Sequence, residues 1–376
     1  MRTLDLLDDL GHPKYPEPKA FILVAKFTHV IPMASLARLQ MVMTYTIFLV
    51  FAVLFAFLAV LTYIFQINIL IAVGLAAIFI FIEYAIGPVL VEASTRPVAV
   101  SRQESPWLHD TVKSMSEKAG IPMPRIAIVE NSTPNAFVYG RTSSDATLAL
   151  HRGLVDQLNK DEVVGVIGHE LGHIKHRDFV IMTMLSAVPI MAYLVARLSF
   201  QSFAFAPKAR RKNEGGIGIA ILAAAGVSFV VYLLSQLLVL SLSRAREHYS
   251  DAFSAYMTGK PRDLESALTR ITYGLSLARS EPHGARAFFI QDPSRAKLEM
   301  AEISEKKEQY DLDRDGVLDE RELQLAMREE ARSSWKSVNA LFSTHPPTFK
   351  RILLLRQMET EIEKGQLAAS DIYKRI

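Results

Sequence analysis

Polar and apolar positions are unevenly spread along this chain, and its longest apolar runs come early. Met41–Phe65 (MVMTYTIFLVFAVLFAFLAVLTYIF) carries no charge in 25 residues. After the polar turn Gln66–Asn68, Ile69–Val91 carries one acid, Glu83. A bilayer core takes about 20 apolar residues of helix, so these runs predict a transmembrane hairpin. The first run lies too far along the chain for a signal peptide, because the mixed segment 1–40 precedes it. Two further runs predict a second pair of membrane helices. Phe179–Leu198 contains Pro189 and Arg197, and Ile217–Leu242 is uncharged and contains Gly226. A basic loop, Lys208-Ala-Arg-Arg-Lys212, separates them.

The polar intervals carry other periodicities. Pro106–Gly120 spaces its apolar residues as an amphipathic helix, and Arg125–Glu130 (RIAIVE) alternates as a strand. Asn135–Leu150 predicts a hairpin that turns at Arg141–Asp145. Asp161–His176 predicts a helix, with Asn159 and Glu162 spaced as a capping box. The tail Arg244–Ile376 is rich in both charges and mostly helical in pattern. The chain therefore divides into a segment 1–40, a membrane hairpin 41–91, and the first half of a catalytic domain, 92–178. A second membrane pair with its basic loop, 179–242, and the second half of the catalytic domain, 243–376, follow.

Composition sharpens this picture. Half of the 376 residues are hydrophobic and mean hydropathy is +0.19, unusual for a soluble protein. A net charge of +3 offers no basic excess for nucleic acid. There is no cysteine. Disulfides and thiolate metal sites are thereby excluded, and any zinc must be held by His and carboxylate.

Three of the ten histidines fall in one stretch, Gly168-His-Glu-Leu-Gly-His-Ile-Lys-His176. His169 and His173 stand at i and i+4, so both imidazoles can reach one ion. Glu170 lies beside the first of them and can serve as a base. This is H-E-x-x-H, the zinc-peptidase signature; a solvated helix with incidental histidines is the competing explanation. His176 shares the face but lies one turn farther along, as an outer-shell or surface residue. A catalytic zinc needs a third protein ligand and an open fourth position. The long form with Gly at 176 and His at 179 is excluded by His176 and Phe179. Arg244-Ala-Arg-Glu-His-Tyr-Ser-Asp251 supplies an alternative: Glu247 as ligand, with Asp251 at i+4 to accept the free ring N–H of a ligand histidine.

With these motifs the chain resembles the HtpX-type membrane zinc peptidases, relatives of the CAAX prenyl protease. The resemblance runs from the membrane hairpin to about residue 357. It rests on His169-Glu-Leu-Gly-His173, Ser243-Arg-Ala-Arg-Glu-His-Tyr-Ser-Asp251, Asn135-Ala-Phe137 and Thr344-His-Pro-Pro-Thr-Phe-Lys-Arg-Ile352. His248 replaces the usual aromatic residue and Ser250 the usual alanine. The resemblance implies a mainly α polytopic membrane protein with a gluzincin-like catalytic domain and a small β-sheet. It implies zinc held by His169, His173 and Glu247, with Glu170 as general base. It also implies that Asn135, Ala136 and Phe137 pair with an extended substrate, that His345 stabilises the oxyanion, and that Arg351 orders the site. The expected partners are polypeptides, above all damaged or misfolded membrane proteins, together with the lipid bilayer and no nucleic acid. A processing protease for one defined, lipidated substrate is the alternative enzyme. A non-proteolytic calcium-binding membrane protein with a structural zinc site is the alternative outside enzymes, and Glu170 argues against it.

One segment departs from that pattern. Asp311-Leu-Asp-Arg-Asp-Gly-Val-Leu-Asp-Glu-Arg-Glu322 matches an EF-hand loop at every ligand position. Asp311, Asp313, Asp315, the Val317 carbonyl, Asp319 and bidentate Glu322 would hold Ca2+, within an insert at about 296–331. Finally, Lys and Arg near the membrane ends place the catalytic domain in the cytoplasm of a cell (inner) membrane protein. They are Lys26, Arg38, Arg96, Arg102, Lys175, Arg177, Arg244 and Arg246, against the basic loop Lys208–Lys212 on the opposite side.

Overall fold

A computed structural model describes residues 34–205, 215–276, 290, 293–312, 322–323, 325–326 and 343–365. The first apolar run lies in helix α1 (Ala34–Phe65) and the second in α2 (Ile69–Thr95). Asn68 caps α2 by accepting the Leu70 N–H at 2.8 Å, which satisfies one of the free donors of a helix start. α2 runs past the apolar stretch to Thr95 and ends on Arg96 in the left-handed conformation.

A short strand β1 (Val98–Ala99) leads to α3 (Pro106–Ala119), which opens on proline and closes on Gly120 at φ 65°. Strand β2 (Arg125–Val129) pairs in parallel with β4 (Thr147–His151), and β3 (Ala136–Tyr139) pairs antiparallel with β4. The sheet order β1-β2-β4-β3 leaves β3 on an edge. A 3-10 turn at Ser143–Asp145 joins β3 to β4, within the predicted turn. The helices α4 (Arg152–Gln157) and α5 (Lys160–Lys175) follow. α5 begins with the predicted capping box: Asn159 Oδ1 accepts the Glu162 N–H at 3.0 Å, and Glu162 Oε2 accepts the Asn159 N–H at 2.8 Å.

Helix α6 (Asp178–Ala204) starts directly after α5, and α7 runs unbroken over 44 residues, Gly215–Thr258. No change of secondary structure marks the end of its apolar part, so one rigid helix carries Glu247 and Asp251 from the apolar layer into the catalytic layer. The helices α8 (Pro261–Ser276), α9 (Pro293–Glu305), α10 (Lys307–Tyr310) and α11 (Thr348–Glu363) complete the described chain.

Two cores result. Leu148, Leu150, Ile167, Leu171, Phe253 and Leu268 are fully buried where the sheet, α5, α7 and α8 meet. Val50, Leu54, Ala76, Leu185, Val188 and Leu242 join the four apolar helices. The outer faces of those helices expose Phe48, Leu70, Phe81 and Ile219, an apolar belt that only lipid would cover without cost. Among the described residues, four helices are long and apolar enough to cross a bilayer: Met41–Phe65, Ile69–Thr95, Asp178–Ala204 and the span Ile217–Thr258. The protein is an integral membrane protein, mainly helical, with a small mixed sheet.

Candidate metal centre

Glycines bring α5 and α7 together. On α5, Gly165, Gly168 and Gly172 form one stripe. A Cβ on Gly168 would lie 3.2 Å from Ser254 Cα, and one on Gly172 3.2 Å from Ser250 Cα. Any side chain there would push α5 away from α7. The close contact sets His169 and His173 of α5 against Glu247 of α7.

Donor atoms of those three residues converge. His169 Nε2 lies 3.1 Å from His173 Nε2 and 3.5 Å from Glu247 Oε2. His173 Nε2 lies 3.4 Å from Glu247 Oε1. A tetrahedral zinc with bonds of about 2.0–2.1 Å holds its donors about 3.3 Å apart, so the cluster fits that ion. Thiolates are absent, and two imidazoles with one carboxylate form a set that leaves one coordination position open.

Outer partners hold each imidazole. Asp251 Oδ1 sits 2.9 Å from His169 Nδ1. Arg351 grips Asp251 with two bonds, Nε to Oδ2 at 2.9 Å and Nη2 to Oδ1 at 2.6 Å. It also donates to the Ile290 carbonyl at 2.7 Å and is completely buried. Burial favours a neutral His169 ring, but its bonds to Asp251 and Glu247 outweigh burial and raise its pKa. Arg351 likewise stays charged: burial opposes the charge, and Asp251 outweighs burial.

His173 has a partner that sequence reasoning missed. Its Nδ1 lies 2.7 Å from Asp178 Oδ2 and 3.0 Å from Ser250 Oγ. Asp178 is the first residue of α6, and Arg246 forms a buried ion pair with it. Arg246 also donates to the His176 carbonyl at 3.1 Å. The signal in the sequence was an acid five residues after His173 and an arginine beside Glu247, but nothing local says that they meet.

Glu170 is 3% exposed, and burial raises its pKa, which suits a group that must take up a proton. His345 lies beside the cluster, its Nδ1 3.2 Å from Glu247 Oε2 but off the angle a hydrogen bond needs. His176, partly exposed, faces the α7 aromatics. Its ring packs against Tyr249 and Phe253 at 4.4 and 5.5 Å, and burial holds its pKa down at about 3.

A cavity of about 430 Å³ opens onto the cluster, lined by His169, Glu170, His173, Glu247 and His345. Ala136 and Phe137 line it from β3. Asn135, grouped with them from the sequence, is not among the lining residues. Its side-chain oxygen accepts the Ile290 N–H at 2.8 Å and its carbonyl accepts the His151 N–H at 2.9 Å. Its amide thus ties the start of β3 to Ile290, whose carbonyl Arg351 holds.

Of the proposed calcium ligands, Asp313, Asp315, Val317 and Asp319 lie outside the described residues. Asp311 and Glu322 are described, and Glu322 Oε1 accepts the Leu312 N–H at 2.5 Å.

The chain is similar to several known proteins. Residues 102–359 match Peptidase family M48. Protease HtpX homolog 2 of Methanosarcina mazei is 33% identical over 330 residues, 86% of this chain and 96% of that protein. Protease HtpX homolog of Methanothermobacter thermautotrophicus is 39% identical over 198 residues, 52% of this chain and 71% of that protein. The crystal structure of S. mikatae Ste24p aligns at 17% identity with a TM-score of 0.43, over 89% of this chain and 70% of that one. With its H-E-x-x-H helix, converging His-His-Glu cluster and four apolar helices, the chain belongs to peptidase family M48, as a membrane zinc metallopeptidase of the HtpX type.

Proposed function

We propose that the enzyme cuts damaged or misfolded membrane proteins, with each site residue in the role its surroundings suit. The observation that carries this is the meeting of His169, His173 and Glu247 beside buried Glu170, in a cavity bounded by a sheet edge and by membrane helices. Zinc held by these three residues would supply Lewis acidity toward a scissile carbonyl. Glu170 would take the proton of the attacking water and pass it to the leaving amine. Asp251, fixed by Arg351, would hold His169 in the tautomer and orientation that leave Nε2 free for metal. His345 would donate to the oxyanion.

The substrate would add as a strand to β3. Asn135 and, by the register Phe137↔Ala149, Phe137 turn their main-chain groups toward β4. Alternation then leaves those of Ala136 and Val138 for an incoming strand. Main-chain pairing reads no particular side chain, as a quality-control protease requires. Purified protein loaded with zinc should degrade an unfolded polypeptide such as casein, and stop when zinc is chelated. Intact casein in the presence of bound zinc would sink the proposal.

Calcium at Asp311–Glu322 is a second element of this reading. It is supported by the ligand spacing and by the bond that closes the loop ends through Glu322. The Lys and Arg distribution supports a cytoplasmic catalytic domain.

A further inference from the structure

The catalytic cavity extends far beyond the metal cluster. Its lining includes one stripe from each of three apolar helices. On α7 the stripe is Gln236, Val239, Leu240, Ser243 and Glu247, spaced i, i+3, i+4, i+7 and i+11. On α6 it is Phe179, Met182, Thr183, Ser186 and Ile190, with the same repeat. On α2 it is Gly87, Pro88 and Val91. Each spacing is a single helix face. On α7 the stripe runs from a metal ligand to Gln236, about 16 Å away along the axis. Gln236 sits about 9 Å inside the uncharged part of α7, and Ile190 about 16 Å inside that of α6. Against a hydrocarbon core of about 30 Å, the cavity therefore descends from the active site toward the middle of the bilayer.

Gln236 is the one amide among the described residues of its deep walls, and the two hydroxyls there are turned to the backbone. The Thr183 hydroxyl donates to the Phe179 carbonyl at 2.7 Å and that of Ser186 to the Thr183 carbonyl at 3.0 Å, so neither calls for water in the cavity. Gly87 of α2 faces Thr183 of α6, where a Cβ would sit in ordinary contact, 3.9 Å from the Thr183 methyl. At about 430 Å³ the whole cavity is within the range of about 300–1,000 Å³ typical of ligand pockets.

We propose that this membrane-depth extension, between Val91, Met182, Ser186, Ile190 and Leu240, is the specificity site of the enzyme. It takes the apolar side chains of the substrate segment flanking the scissile bond. The occupant is a stretch of polypeptide of membrane-spanning composition. This follows from continuity: the extension shares its cavity with the metal cluster and with Ala136 and Phe137 of the edge strand β3, where the same polypeptide must lie. The proposal rests on the cavity being the peptidase site. It adds that β3 reads main chain while the bilayer-level stripe reads hydrophobicity.

The test uses full-length, zinc-loaded protein in detergent and peptides with one common cleavable centre. The peptides carry four flanking residues, either Leu/Val or Ser/Gly, on one side and then on the other. An apolar flank on one side should raise kcat/KM about tenfold or more. Ser186→Phe fills the extension and should bring that ratio close to one. Ile190→Ala only removes atoms, so it carries the test even if Ser186→Phe does not fold. It should shift preference from Leu toward Phe and Trp flanks. Equal kcat/KM for both flanks in the wild type, as for a cavity that holds lipid, overturns the proposal. So does an apolar preference unaltered by either variant. If the wild type cuts neither peptide, the peptidase reading falls and takes this one with it.

Discussion

At the scale of single residues, two groups beside the metal cluster separate binding from chemistry. Glu170 is buried at the cluster without being one of the three converging ligands. Glu170→Gln should therefore retain zinc, measured by metal analysis, while hydrolysis drops by about a hundredfold or more. Near-normal turnover by that variant would remove Glu170 from the role of base. Asp178 acts through His173 instead. It accepts from the outer ring nitrogen, as Asp251 does for His169, and loss of such a partner weakens metal binding by about 10–100-fold. Asp178→Ala should show that loss in competition with a chromogenic chelator. Asp178→Asn, which keeps an acceptor, should lose less. The buried Arg246 ion pair makes Asp178→Ala destabilising as well. A lower melting temperature with unchanged zinc affinity would reduce Asp178 to a structural role.

At the scale of elements, the site depends on how closely α5 approaches α7. Gly168 and Gly172 permit that approach, and a bulky branched side chain at either would overpack the contact. Gly168→Val should destabilise the protein by roughly 2 kcal/mol and, by separating His169 from Glu247, lower zinc occupancy as well. Full zinc content in a stable Gly168→Val protein would show that the helices tolerate separation. The loop Asp311–Glu322 is a second element with its own test. Ion bound only by the folded loop adds stability by mass action, about 2.7 kcal/mol at a hundredfold excess over Kd. Millimolar calcium should raise the melting temperature, and Asp311→Ala should abolish the rise. An identical rise in both proteins would rule out this loop as the site.

At the scale of the whole molecule, the membrane divides one active site between two sequence segments. α5 precedes the second pair of apolar helices and α7 emerges from it, so His169 and Glu247 meet only when α6 and α7 fold back together. Both halves must then face the same side, as four crossings require. The chain has no cysteine, so single introduced thiols report topology cleanly. Ser114 and Ser202 are both exposed. In intact cells an impermeant thiol reagent should label Ser202→Cys and spare Ser114→Cys. Labelling at Ser114→Cys would place the catalytic domain outside and overturn the charge-based orientation.

What the sequence alone determined were the features written in short range. The apolar runs, the capping box at Asn159 and Glu162, the turn after β3 and the H-E-x-x-H face depend on neighbours within about one or two turns of chain. Composition and spacing therefore suffice to read them. Glu247 and Asp251 were legible as candidates, because a zinc without cysteine needs a carboxylate and ExxxD points two of them one way, but their contact with that face was not. Only the tertiary structure decided which distant groups share a contact. Asp178 and Arg246 meet across 68 residues. Asn135 spends its amide on Ile290 across 155 residues, and His176 turns inward onto Tyr249. Three separate helix faces enclose a single cavity. Such meetings are set by the packing of whole elements, by glycine stripes and helix crossings, and no local pattern encodes which faces will end up opposed.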